Sequence, residues 1–285
     1  MLWIALHLPS LSLEAFCATL SPAEAARPVA LIDGPRVSAV NRTAAERGLQ
    51  PGIKRSTALA LAADLLLAQA DPLRDAAALQ AVAHAALAFT PTVTFEGAAT
   101  VLLEVQPSLR YFGGLSALLA RLRQALAPLG HQLHIACAPT PLGAALLALW
   151  GRRGADLAEG PHVTQLPALQ ALLDAAPVWL LGPGREHWEA LQGMGLQTLS
   201  DLRSLPRSGL ARRFGEGLLD DLDRALGRRA DLRQALLPPP EFESRLELSR
   251  APTPRPRCCT APACCWPGWW PGRRRARRAS PPSRC

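Results

Sequence analysis

The chain has 285 residues, 49% of them hydrophobic, which is enough for one large core or two smaller ones. It contains no uninterrupted run of about 18 apolar residues, so the sequence predicts no membrane-spanning helix. The formal net charge of +8 is unevenly distributed, because residues 251–285 hold eight arginines and no acid. Residues 1–250 carry 23 basic and 23 acidic side chains, so net charge alone does not predict nucleic-acid binding there.

The amino terminus predicts a buried strand over residues 3–8. Although residues 1–13 are largely apolar, they lack a basic leading segment and a small-residue cleavage site, and Pro9 interrupts them, unlike a signal peptide. Only Cys17 and Cys137 fall within residues 1–250, which is typical of a reducing compartment. We therefore expect a cytoplasmic protein.

Strand and helix patterns alternate through the first 165 residues. Strands are predicted over residues 3–8, 28–33, 92–95, 101–105 and 132–136, with a turn at Glu96-Gly97. Helical apolar spacing occurs over residues 58–67, 76–87, 115–126 and 142–150. This alternation predicts an α+β layer.

The pattern changes near residue 166, where a helical, glycine-punctuated segment begins and runs to about residue 235. The prolines at 238–240 predict a stiff linker, because proline ends helices. Residues 241–250 then alternate like the first strand of a further domain, which does not follow. We expect domains at 1–165 and 166–240.

Residues 251–285 are rich in Pro, Cys, Trp and Arg and show no periodicity. One interpretation is a zinc site at the pairs 258–259 and 264–265, although adjacent cysteines place their sulfurs poorly for one tetrahedron. Another is a basic tail whose tryptophans stack on nucleic acid. We favour a third, a disordered tail translated out of frame after about codon 250, which has no part in function.

Three sets of motifs together resemble the Y-family (UmuC/ImuB-type) translesion DNA polymerases. Residues 3–14, residues 28–32 and NRTAAERGLQPGI at 41–53 are similar to the first palm strand and the fingers. LLEVQPSLRYFGG at 102–114 and IACAPTPLGAA at 135–145 resemble the rest of the palm, and LRYFGG is similar to the ImuB-type branch. VWLLGPG at 178–184, MGLQTLSDL at 194–202 and Phe214-Gly215 resemble the thumb.

The resemblance implies an α+β palm over residues 1–165 with inserted fingers at about 26–80. It also implies a small helical thumb with a helix-hairpin-helix over 166–240. The little-finger domain would be missing, with only its start at 241–250, so the chain would be C-terminally truncated or frameshifted.

The family's catalytic positions are occupied by residues without a carboxylate. Nucleotidyl transfer uses two magnesium ions held by close carboxylates. The resemblance places the first aspartate of the family at His7 and its Asp-Glu pair at Ala99 and Thr100. Since magnesium prefers charged oxygen ligands, the resemblance implies no catalytic residues, no metal and no cofactor.

Two acids, Glu96 and Glu104, remain near these positions. Glu96 could substitute as a ligand, whereas Glu104 is expected to follow the strand alternation to the opposite side. His7 could itself be a base or a metal ligand, but a lone histidine in an apolar strand is more often a core or cleft residue. His131 and His134 have only weak metal-ligand spacing.

DNA contacts are predicted in two regions. Gly182 and Gly184 would let the backbone N–H groups of the thumb hairpin approach a phosphate. Arg185, Arg212 and Arg213 would add positive charge. The fingers would contribute Arg47, Lys54 and Arg55. The alternative is a plain helical turn with solvated arginines.

The resemblance implies a noncatalytic scaffold in DNA repair, SOS mutagenesis and translesion synthesis. It would bind damaged or primer-template DNA and recruit an error-prone C-family polymerase. A RecA-like ImuA protein and the sliding clamp would be partners of the intact protein, and no membrane is involved. The alternatives are an active translesion polymerase, a helix-hairpin-helix DNA-binding module, and a fragment without function.

Overall fold

The computed structural model describes residues 1–151 and 159–237. Its strands are β1 (Trp3–His7), β2 (Val29–Asp33), β3 (Arg36–Val40), β4 (Leu66–Gln69), β5 (Val93–Glu96), β6 (Thr100–Glu104), β7 (His134–Ala138) and β8 (Glu159–His162). Its α-helices are α1 (Leu11–Cys17), α2 (Pro22–Ala25), α3 (Arg42–Glu46), α4 (Arg55–Leu61), α5 (Pro72–Ala86), α6 (Leu109–Phe112), α7 (Leu115–Leu126), α8 (Pro141–Trp150), α9 (Leu166–Asp174), α10 (Gly182–Glu186), α11 (Trp188–Gly193), α12 (Leu199–Ser204), α13 (Arg207–Phe214) and α14 (Glu216–Ala225). Short 3₁₀ turns lie at Ala127–Leu129 and Val178–Leu180.

Five strands form the palm sheet, in the order β5-β6-β1-β7-β8. β1 lies at the centre, antiparallel to both β6 and β7. Because successive side chains of a strand face opposite sides, Ile4 and Leu6 enter one core while Trp3 and Ala5 enter another. Burial on both faces explains why β1 has a continuous apolar sequence rather than an alternating one.

Each face of the palm sheet is covered by helices. Leu79 of α5 and Leu122 of α7 pack with Ile4 and Leu6 on one face. On the other face, α8 and the helices α9–α14, which we call the thumb helices, share a single core with Trp3 and Ala5. Because α8 lies directly on β1 and β7, removing the thumb helices would expose apolar side chains of α8.

Three strands form a second sheet, the fingers sheet, in the order β3-β2-β4. Ala44 of α3 and Ala58 of α4 pack against its core with Ala30 and Val37. The expected fingers range of about 26–80 extends beyond this sheet, since α5 begins at Pro72 and packs on the palm sheet.

The helix predicted over residues 58–67 is wrong at its carboxyl end. α4 ends at Leu61, and Leu66 and Leu67 belong to β4, which pairs in parallel with Val29 and Ala30. Short apolar runs fit either a helix or a strand, and here pairing with a distant strand decides between them. β3 and β8 were not predicted.

The other predicted strands and helices are present, and the predicted helix 115–126 has the bounds of α7. The largest shift is at α5, which begins at Pro72 instead of residue 76 because Asp71 caps it and Pro72 takes its first position. The α+β prediction is confirmed. No helix among the described residues is long and apolar enough to cross a membrane. The predictions for residues 238–285 lie outside the described ranges.

Candidate functional site

Two of the three positions aligned with the family's carboxylates meet at the ends of neighbouring strands. His7 ends β1, Thr100 begins β6, and the antiparallel register places them directly opposite each other. Nδ1 of His7 lies 2.9 Å from Oγ1 of Thr100, which is a hydrogen bond. The third position, Ala99, precedes Thr100, and its carbonyl accepts a 2.8 Å hydrogen bond from the backbone N–H of Leu8. The three aligned positions therefore lie close together in the structure, and we call the site formed by His7, Ala99 and Thr100 the palm cleft.

The His7 ring is held neutral by its surroundings. The pKa of His7 is lowered to about 4, chiefly by burial and also by the charges of His134 and Arg185, whereas a hydrogen bond with the Ala99 backbone acts in the opposite direction. His134 lies opposite His7 on β7, with the two ring centroids 6.1 Å apart. At neutral pH the palm cleft therefore presents uncharged imidazole.

Glu96, the acid considered as a replacement ligand, is close to the palm cleft but already paired. It ends β5 and lies opposite Thr100 across the β5–β6 hairpin. Its carboxylate forms an ion pair with Arg233, which follows the thumb helices. Arg233 also donates two 2.7 Å hydrogen bonds to the carboxylate of Asp231. A magnesium ion at Glu96 would have to displace this arginine.

The expectation that Glu104 points to the opposite side is wrong. Residues four apart on a strand face the same side, so Glu104 shares a face with Thr100. Glu104 is nevertheless too far away to act as a ligand in the palm cleft. It lies opposite Trp3 at the other end of β6, about 13 Å along the strand from Thr100.

Within residues 1–151 and 159–237, no three His, Cys, Asp or Glu side chains converge as a metal site. His131 and His134, which have metal-ligand spacing, have different neighbours. Nδ1 of His131 lies 3.2 Å from the carboxylate of Glu14. Nδ1 of His134 is buried and has no hydrogen-bond partner in the described part of the chain.

A cavity of about 650 Å³ lies between the palm and fingers sheets. Leu8 and Leu11 line it beside the palm cleft, and Leu31 lines it from the fingers. Asp75 is the one charged side chain among the described residues that line it, and it accepts a hydrogen bond from Ser12. A nucleoside triphosphate carries several negative charges, so a wall with a carboxylate and no basic side chain does not favour it.

The two thumb glycines occupy different environments. Gly182 begins α10 and is exposed, and a Cβ added there would meet nothing within 4 Å. Gly184 is buried, and a Cβ there would overlap the carbonyl oxygen of Val178. Packing of α10 against the 3₁₀ turn therefore requires glycine at 184, while Gly182 has the open surroundings that a phosphate would need.

The predicted thumb arginines Arg185, Arg212 and Arg213 are all exposed. None of them forms an ion pair with a carboxylate in the part of the chain that the structure describes, although Arg213 lies 5.6 Å from the ring centroid of Phe214. Other thumb arginines are paired with aspartates: Arg203 with Asp174, Arg207 with Asp223 and Arg229 with Asp220. The thumb thus contains two kinds of arginine: exposed ones that could bind a phosphate, and ones that are already paired with aspartates.

The predicted fingers residues divide in the same way. Arg47 forms an ion pair with Asp64. Lys54 and Arg55 lie at the start of α4, are exposed, and have no ion pair within the described residues. Of the three, Lys54 and Arg55 are the better placed for a phosphate.

Sequence reasoning missed the roles of His134 and Arg233. His134 was considered only with His131, because the pairing of β7 with β1 is not visible in residue spacing. Arg233 contacts Glu96 from 137 residues away. No local pattern reports such a contact.

No protein-family profile matches the chain. In sequence it is 36% identical over 184 residues to the ImuB proteins of two strains of Caulobacter vibrioides, a match that covers 65% of this chain. The matched region spans 39% of those curated relatives, so the chain spans about two fifths of their length.

The fold matches solved polymerase structures. A Dbh ternary complex has a TM-score of 0.63 at 15% identity, covering 82% of this chain and 69% of that one. DinB from Sulfolobus solfataricus has a TM-score of 0.61 at 16% identity, covering 82% and 70%. A Y-family DNA polymerase chimera of Dbh and Dpo4 has a TM-score of 0.59 at 15% identity, covering 86% and 71%. The chain is therefore similar in sequence to part of ImuB and has the fold of the Y-family DNA polymerases.

Proposed function

We propose that this chain is a noncatalytic DNA-binding scaffold that acts in DNA-damage tolerance. The palm cleft carries the proposal. Where the family resemblance places three carboxylates, the chain has His7, Ala99 and Thr100, and the first and last of these hydrogen-bond to each other. An uncharged imidazole and a hydroxyl are poor ligands for magnesium, and the two-metal reaction depends on that ion.

The surroundings of the palm cleft support the same proposal. The adjoining cavity has no basic side chain among its described lining residues, and its one charged residue, Asp75, is an acid ion-paired with Arg74, so this lining offers a triphosphate no positive charge. Glu96 is engaged by Arg233. Loss of the metal ligands and of nucleotide affinity together would leave a polymerase-shaped protein without polymerase activity.

DNA binding is proposed through the thumb helices, with a smaller contribution from the fingers. Gly182 is open, and Arg185, Arg212 and Arg213 are exposed and unpaired within the described residues. Arginine binds phosphate oxygens in a sequence-independent way, which suits a protein that meets stalled or damaged DNA rather than a particular site.

The proposed setting is cytoplasmic, in DNA repair, the SOS response and translesion synthesis. Because the chain lacks a competent palm cleft in this proposal, synthesis falls to an error-prone C-family polymerase that it recruits. A RecA-like ImuA protein and the sliding clamp complete the proposed set of partners. These follow from the resemblance to ImuB and refer to an intact protein.

Primer extension on a damaged template tests the proposal. We would compare the wild-type chain with the variant His7→Asp, Ala99→Asp, Thr100→Glu, in magnesium and in manganese. His84→Asp is the matched control, since it adds an acid at an exposed position of α5. The wild type and the control should bind primer-template without extending it, and extension by the triple variant would locate the lost site.

Extension by the wild type would overturn the noncatalytic proposal. In that case Glu96→Gln identifies the source of activity. Loss of extension in Glu96→Gln would assign Glu96 as the replacement ligand and support an active translesion polymerase. Failure of the wild type to bind DNA would instead leave no role for a scaffold.

A further inference from the structure

Two imidazoles lie side by side at the palm cleft. His7 on β1 and His134 on β7 are direct cross-strand partners, so both rings stand on the same face of the palm sheet. Their centroids are 6.1 Å apart and both residues are half-buried. His134 is not among the positions aligned with the family's carboxylates, so this pair is a feature of the present chain.

In each ring Nδ1 is closed to a metal ion: in His7 by a hydrogen bond, and in His134 by burial without a hydrogen-bond partner among the described residues. Nδ1 of His7 is hydrogen-bonded to Thr100, so Nε2 is the nitrogen left for a ligand. Nδ1 of His134 is turned toward the backbone of Gly151, where an added Cβ would lie 3.1 Å from it. For both rings, Nε2 is therefore the available donor.

We propose that Nε2 of His7 and Nε2 of His134 together bind a divalent transition-metal ion such as Zn²⁺, Ni²⁺ or Cu²⁺, in preference to Mg²⁺. Imidazole is a preferred ligand of these ions and a poor one for magnesium. With metal–nitrogen distances of about 2.1 Å, two imidazole centroids on one ion lie at most about 6.5 Å apart. The observed centroid separation of 6.1 Å lies within this limit.

The electrostatics of the palm cleft shape this site. Arg185 acts on His7 with its positive charge and would weaken the binding of any cation. No third His, Cys, Asp or Glu joins the pair within the described residues, so the remaining coordination positions fall to water. The site is thus open, unlike a structural zinc site with four protein ligands.

Metal binding by cysteine thiolates has to be excluded before binding at the proposed site is measured. Cys137 lies on β7, but its side chain enters the core on the opposite face of the palm sheet, and burial raises its pKa to about 12. The other cysteines, including those in residues 251–285, can be alkylated with N-ethylmaleimide before titration. The full chain can then be used without thiolate binding.

The test is titration of the alkylated full chain with Zn²⁺ by calorimetry and with Cu²⁺ by electron paramagnetic resonance. We expect one ion per chain and a copper spectrum split by two nitrogens. His7→Ala and His134→Ala should each weaken binding at least about tenfold and leave a single coupled nitrogen. His84→Ala, at an exposed position of α5, should change nothing, and Arg185→Ala should tighten binding severalfold.

Unchanged Zn²⁺ affinity in both histidine variants, or a copper spectrum without nitrogen splitting, would overturn the proposal. His134→Gln, which keeps a polar side chain of similar size, serves as the second variant if His134→Ala unfolds, as judged by circular dichroism. Excess Mg²⁺ should not displace the ion. The inference depends on the palm geometry alone, so it can fail while the DNA-binding proposal holds, and the reverse.

Discussion

The palm cleft and the thumb helices differ in how their polar side chains are used. In the palm cleft, His7 is bonded to Thr100 and Glu96 is paired with Arg233, so the charges and donors there are engaged within the protein. On the thumb helices, Arg212 and Arg213 face solvent without an ion-pair partner in the described residues. The first region thus uses its polar groups within the protein, whereas the second leaves arginines exposed to solvent.

From this difference we infer that the number of unpaired, exposed arginines, rather than the total number of charges, indicates the proposed DNA-binding surface. The thumb contains more arginines than the three predicted ones, but Arg203, Arg207 and Arg229 are paired with aspartates. A paired arginine has to lose its carboxylate before it can bind a phosphate, so it contributes less to affinity than an unpaired one.

Charge reversal on the thumb should give the largest effect. The triple variant Arg185→Glu, Arg212→Glu, Arg213→Glu should weaken primer-template binding on the order of 100-fold. A plot of the logarithm of the binding constant against the logarithm of the salt concentration should become less steep, by about 0.9 in slope for each arginine that contacts a phosphate. Fluorescence anisotropy over a range of salt concentrations measures both.

The control for that variant is the paired arginine Arg229→Glu, which should cost much less affinity. Equal loss in the two variants would contradict the distinction between paired and unpaired arginines. Substitution is preferable to deleting residues 166–240, because the thumb helices share one core with the palm sheet and their deletion would expose that core to solvent.

The two thumb glycines should respond differently to a methyl group. Gly184→Ala would push a Cβ into the Val178 carbonyl and should destabilise the fold by about 1–3 kcal/mol. Gly182→Ala should change the free energy of unfolding by less than about 1 kcal/mol, since its Cβ meets nothing. Urea denaturation followed by circular dichroism compares them, and similar losses would show that α10 does not pack as described.

A smaller effect is expected in the fingers. Lys54→Glu with Arg55→Glu should weaken DNA binding roughly three- to tenfold, because both side chains are exposed and unpaired within the described residues. Arg47→Ala should leave DNA affinity nearly unchanged and cost less than about 1 kcal/mol of stability, the usual range for a partly exposed ion pair. A larger loss of affinity from Arg47→Ala would mean that its bond to Asp64 opens on DNA.

The smallest effect concerns pH. Backbone hydrogen bonds from Thr198 and Gln197 lower the pKa of Asp201, which caps α12. A carboxyl whose pKa is lower in the folded state adds stability above its unfolded pKa of about 3.9 and loses it as pH falls through the folded value. Asp201→Asn should therefore reduce stability at neutral pH and flatten its decline in acid. An unchanged acid profile would contradict this, with Glu189→Gln as an exposed control.

Patterns in the sequence predicted most of the fold but not the contacts of the site. Apolar spacing over residues 115–126 matched α7, because a helix that covers a sheet has to bury one continuous stripe. The same spacing failed over residues 58–67, since β4 exists only through its pairing with β2. Residue spacing also gave no sign that His134 faces His7, because strand register is fixed by pairing between segments far apart in the chain.

What the sequence by itself determined is the identity of the side chains: a histidine, an alanine and a threonine at the aligned positions, and arginines in the thumb. The tertiary structure decided their surroundings. It brought His7, Thr100 and His134 together, paired Glu96 with Arg233, and left Arg212 and Arg213 exposed. Local residue types are set by covalent sequence, whereas partners, burial and available charge depend on which distant segments pack together.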